Sequence, residues 1–183
     1  MWGQSLPSNG HFLSLLFNMP AECLIAGFSC PVAVPGQNSE WNQEWYYRHI
    51  NSPNFTKISE FDDAVILAPP ISCQNNPSVI FNVWSRLPTG GYDWQSVSSF
   101  ELTTGKNSVL ITRDLLPKYE DCQRVWVSSL VSASADASAL IATIAFHLLK
   151  EADGSSRAEY WLCEIRLADL SIKKITLLPK AFV

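Results

Sequence analysis

The chain has 183 residues, of which 47% are hydrophobic and only 16% charged, with a formal charge of −4. That length holds one domain with a sizeable core and is short for two, and the low charge excludes a disordered chain. The basic residues are scattered, none precedes Arg48, and Lys173-Lys174 is the sole adjacent pair, so no electrostatic footprint for nucleic acid is present.

From the N-terminus, residues 11–17 and 23–29 read as short apolar strands, followed by strands over 44–50 and 55–59. No Lys or Arg precedes these runs and Pro20 and Glu22 interrupt them, so neither a secretory signal nor a membrane span is expected. A second group follows at 63–72, 78–86, 94–102 and 108–112, punctuated by Gln74-Asn75-Asn76-Pro77 and Pro88-Thr89-Gly90-Gly91. A third lies at 124–133, 139–149, 159–170 and 173–178. Its second strand is apolar on both faces, with Leu140, Ala142, Ile144 and Phe146 on one and Ala139, Ile141 and Ala145 on the other. A strand of that kind lies between two packed layers. An Ala-rich helix over 135–152 is the competing reading, disfavoured by its β-branched content.

The three groups are copies. Ile25 to Ile80 spans 55 residues and Ile80 to Ile141 spans 61, and each isoleucine is the third residue of a second strand. The first copy matches least well, because Arg48 falls where Phe100 and Ile165 stand in the others. Four strands per unit at even spacing is the plan of a propeller blade. The predicted architecture is therefore an all-β protein of three four-stranded propeller-like blades, a single domain over 1–183 with blades near 9–60, 61–116 and 117–178.

Ser134-Ala135-Asp136-Ala137-Ser138-Ala139-Leu140-Ile141-Ala142 resembles the Ser-Pro-Asp-Gly turn-and-strand of TolB-type, WD40-like β-propellers. Residues 167–177 resemble their closing hairpin, and Phe100-Glu101-Leu102-Thr103-Thr104-Gly105-Lys106 is its second-copy equivalent. No copy carries Pro-Asp-Gly. The resemblance implies a scaffold and brings no active site with it.

Three blades do not close a ring, which needs about four to eight. An apolar blade face is left bare at each end, and two copies related by a two-fold axis would cover both faces in a six-bladed homodimeric ring. A three-sheet monomer capped by its Trp-rich segments, and a piece of a longer propeller, are the alternatives.

For chemistry, Glu60, Asp62 and Asp63, and Asp114 with Glu120 and Asp121, lie in the loops joining one blade to the next. Such carboxylates either hold Ca²⁺ through oxygen ligands or simply solubilise turns; the second is the simpler reading, and no cofactor is expected. Trp41, Trp45, Tyr46, Tyr47, Tyr92 and Trp94 cluster in or beside the segments before the third strands. They offer either a stacking surface for a ligand or blade-to-blade packing. The polar segment 36–44 is the expected binding loop. His11, His49 and His147 lack metal-ligand spacing, and there is no nucleophile elbow or phosphate loop. Five cysteines without CxxC spacing point to a reducing, cytoplasmic compartment. The expected function is a non-catalytic scaffold binding a protein or small ligand on its loop face. The alternative is a metal-assisted hydrolase or lyase acting on a carbohydrate or lactone at the axis.

Overall fold

A computed structural model describes residues 11–18, 20–32, 40–58, 64–148 and 157–179. Among them the only helical element is a single 3-10 turn; the remaining elements are strands in three antiparallel sheets. Sheet I runs β1 (His11–Asn18), β2 (Cys23–Val32), β3 (Glu40–His49) and β4 (Thr56–Lys57). Sheet II consists of β5 (Ala64–Val65) and β6 (Ile71–Ser72), both paired to β7 (Ser78–Arg86), then β8 (Tyr92–Glu101) and β9 (Lys106–Thr112). Sheet III runs β10 (Cys122–Ala133), β11 (Ala139–Leu148), β12 (Ala158–Arg166) and β13 (Ile172–Leu177). Sheets I and III pair their strands in chain order, and sheet II does so from β7 to β9 with both short strands β5 and β6 on β7.

The expected strand over 63–72 is broken into β5 and β6. Pro69 and Pro70 cannot donate to a ladder, and they fall inside that run. The expected loop 36–44 is also shorter: Glu40 to Glu44 already pair with β2 as strand, and 36–39 lie outside the described residues. The helical reading of 135–152 is replaced by β11, whose register with β12 runs unbroken from Ala139 opposite Arg166 to His147 opposite Ala158.

The register confirms the sequence alignment of the copies residue by residue. Leu24 faces Arg48, Val79 faces Phe100 and Leu140 faces Ile165, so Arg48 does occupy the position of two core residues. Because facing residues in an antiparallel pair share a side, each sheet has one face toward the next sheet in the chain and one toward the preceding sheet. Cys23, Ile25 and Trp45 on sheet I pack against Val79, Phe81, Val83, Phe100 and Leu102 on sheet II. On the other side of sheet II, Ile80, Trp94, Val97 and Ile111 pack against Val127, Leu140, Ala142, Ile144 and Phe146 on sheet III. Five consecutive residues of β7, Val79 to Val83, are thus buried. A strand buried on both faces is what its unbroken apolar run predicts.

Close approach shapes the first of these interfaces. A Cβ on Gly27 would lie 2.4 Å from the Trp45 ring, which is itself 1% exposed. Only glycine leaves room for that indole over the backbone. Buried amides tie the sheets together: Asn18 Nδ2 donates to the Ser78 carbonyl, and Asn82 Nδ2 to the carbonyls of Val127 and Ser128, each at 3.4 Å. The Trp94 indole N–H donates to Asn82 Oδ1, so this buried side chain has partners for its donor and its acceptor.

Turns follow the same local logic. The Asp136 carboxylate accepts the Ser134 and Ser138 hydroxyls at 2.7 and 2.8 Å and the Ser138 amide at 3.1 Å. Those bonds pull its carboxyl down to about 2. Ala137 beside it has φ +60°, a left-handed conformation that glycine adopts without steric cost and alanine does not. Asp169 repeats the device on Ser171, and its carboxyl is likewise lowered. No described helix is long and apolar enough to cross a membrane.

Candidate functional site

The connection from β9 to β10 joins the last strand of sheet II to the first of sheet III. It leaves β9 through the 3-10 turn Arg113–Leu115 and encloses a cavity of about 390 Å³. Leu116, Pro117, Tyr119 and Val125 form its apolar wall, while Arg113, Lys118 and Arg124 bring cations to it. The volume lies in the usual range of small-molecule sites, about 300–1,000 Å³.

Asp93, near the start of β8, organises the guanidinium groups. Arg113 Nη2 donates to Asp93 Oδ1 at 2.8 Å and to the Trp94 carbonyl at 2.6 Å, and Arg124 makes an ion pair with that same carboxylate oxygen. Arg124 also stacks on Trp126, 5.6 Å from the ring centroid. The sequence brings these residues from two sheets, so the arrangement exists only because sheet III packs on sheet II.

Tyr119 is fixed from behind. Its ring meets Phe146 edge-on at 5.3 Å, and Lys174 Nζ lies 4.1, 4.9 and 5.6 Å from the Phe146, Trp161 and Tyr119 rings. Such cation–π contacts are strongest where one ring is desolvated, as Phe146 is at 1% exposure. Burial pushes the Tyr119 hydroxyl and the Cys122 thiol up, the latter aided by the Asp121 carboxylate. At neutral pH both therefore face the cavity region as neutral groups.

The expected site residues separate sharply. Trp45 and Trp94 are each 1% exposed and lie in the two inter-sheet cores, so packing accounts for them. Tyr92 is half-buried at the start of β8, beside Asp93, and Asp121 stands exposed outside the cavity lining, accepting the Cys122 thiol at 3.6 Å. Asp114 lines the cavity. Asp62, Asp63 and the Trp41 side chain lie outside the described residues. Among the described residues no three His, Cys, Asp or Glu side chains converge as a metal site. Composition draws attention to the carboxylates Asp114, Glu120 and Asp121 of this loop rather than to its cations. The signal available was Arg113, Lys118 and Arg124 recurring over residues 113–124, from the end of β9 into β10.

One other pair has nucleophile-like spacing. Cys23 Sγ lies 3.3 Å from His49 Nδ1, but the thiol is fully buried, is raised by that burial, and is directed at the Ala21 carbonyl. A protonated, inaccessible thiol is a small apolar core residue.

No protein-family model matches this chain, and no curated protein matches it in sequence.

Proposed function

We propose that the chain is a three-blade half of a TolB-type, WD40-like propeller, completed by a second copy into a six-bladed ring. It acts as a non-catalytic binding module whose loop face receives a protein or small ligand. The observation carrying this reading is one position followed through the three copies. Ile25 and Ile80 face the next sheet and are 0% and 1% exposed, whereas Ile141, their equivalent on sheet III, has no further sheet of the described chain to face. At the other end, Leu13, Leu15 and Phe17 of β1 are 41%, 55% and 41% exposed. Leu15 and Phe17 stand opposite Ala26 and Leu24, on the face of sheet I turned away from sheet II, against which no other described sheet packs. Apolar faces of this kind seek cover, and the packing used twice within the chain supplies the geometry for a third use.

Charge favours a second copy as the cover. Arg48 sits on the open face of sheet I, where its equivalents Phe100 and Ile165 are buried, and its Nε is buried without a hydrogen-bond partner. Glu164, opposite Ile141, stands on the open face of sheet III at the matching strand. Joining the ends brings the two charges to one junction. The free thiols of Cys23, Cys73, Cys122 and Cys163 support a reducing, cytoplasmic setting. Light scattering on Arg48→Glu, Glu164→Arg and the double variant tests the pairing. Each single change weakens the dimer and the double change restores it; a dimer indifferent to all three, or no dimer at all, rejects this assembly.

A further inference from the structure

We infer that the cavity along the β9–β10 connection is a binding site for a small organic anion, one carboxylate or phosphate group carried on an apolar body. The inference deepens the loop-face reading above by naming the ligand's chemistry, and it rests on that reading. Three cations, Arg113, Lys118 and Arg124, border the cavity. One carboxylate oxygen, Asp93 Oδ1, holds both guanidinium groups and so fixes their directions without matching their combined charge. Asp114 is the sole acidic residue among the lining groups, so the wall carries an excess of positive charge in a protein whose net charge is −4.

Guanidinium groups present several coplanar N–H donors, and each uses only part of its set on Asp93. The remainder suits a second planar or tetrahedral oxyanion, which binds by charge-assisted hydrogen bonds. Lys118 adds a mobile point charge at the rim. Beside these donors, Leu116, Pro117 and Val125 offer an apolar surface, and Tyr119 is held rigid by Phe146 and Lys174 for a flat body to lie against. The neutral thiol of Cys122 adds no competing negative charge. The site lies within one chain, so ring closure is not required for it to form.

Isothermal titration calorimetry with phenyl phosphate and with benzoate tests the site, with benzyl alcohol as the uncharged control. Binding of either anion, weakened about tenfold by Lys118→Glu and by raising salt several-fold, upholds the inference; which anion binds assigns the group. Arg124→Gln supplies a second variant, and an unchanged melting temperature shows that either protein remains folded. Neither anion binding, benzyl alcohol binding as tightly as the anions, or Lys118→Glu binding like the wild type overturns it. Sedimentation in the same buffer separates the two readings: a dimer that binds neither anion removes this site alone, and a monomer that binds one removes the ring alone.

Discussion

Sheet II and its two neighbours follow one strand plan, yet among the described residues only sheet II packs against another sheet on both faces. On β7 the apolar run from Val79 to Phe81 and Val83 is buried throughout, interrupted by one buried, fully bonded Asn82. On β11 the same plan buries Leu140, Ala142, Ile144 and Phe146 against sheet II, while Ile141 on the other face stays partly exposed. On β2 the order is reversed: Cys23 and Ile25 are buried, and Leu24 and Phe28 are half-exposed. An apolar strand thus specifies two faces to be covered; Ala26, Tyr46 and Ala145 are buried on the outer faces too, while the larger apolar groups Leu15, Phe17 and Ile141 there stay exposed or partly exposed.

Matched substitutions sharpen that contrast. Ile80→Ala should cost about 2–5 kcal/mol in folding stability by denaturant melts, because it empties a closed core. The equivalent Ile141→Ala should cost well under half as much in the dilute chain and act instead on self-association. Equal losses at both positions would erase the distinction between inner and outer faces.

Gly27→Ala comes next. The added methyl meets an indole with nowhere to move, so a loss of about 1–3 kcal/mol is expected, as for other overpacked cores. A neutral effect would show that Trp45 can shift.

On the open face of sheet I, Leu15→Lys should leave dilute-chain stability within about 0.5 kcal/mol while abolishing the proposed dimer in gel filtration with light scattering. A dimer surviving this change would place the contact elsewhere.

Two smaller effects concern the turn leading into β11. Ala137→Gly relieves a left-handed alanine and should raise stability by up to about 1 kcal/mol. For Asp136, the folded carboxyl titrates at about 2, below its ordinary 3.8. Its support for the turn is therefore complete above about pH 4 and is lost as pH falls toward 2. An NMR titration of that carboxyl centred near 3.8 would contradict the hydrogen bonds described.

Most of the strand plan could be read from sequence, because alternation and turn residues act locally. The start and end of β7 fall at 78 and 86 as expected, and even the misfit of Arg48 with Phe100 and Ile165 reappears as strand register. The break between β5 and β6 was overlooked because an apolar run outweighed the missing donors of Pro69 and Pro70. Trp45 and Trp94 could not be divided between stacking and packing, since an indole suits both and only burial decides. The cavity was less legible still: Asp93 meets Arg113 and Arg124 across two sheets, and no local pattern announces an ion pair made by tertiary packing.

Sedimentation equilibrium at micromolar concentration tests the central claim most directly. The account predicts a species of twice the 20.4 kDa chain mass, converted to single chains by Leu15→Lys. A wild-type protein that remains a single 20.4 kDa chain across that range would contradict it.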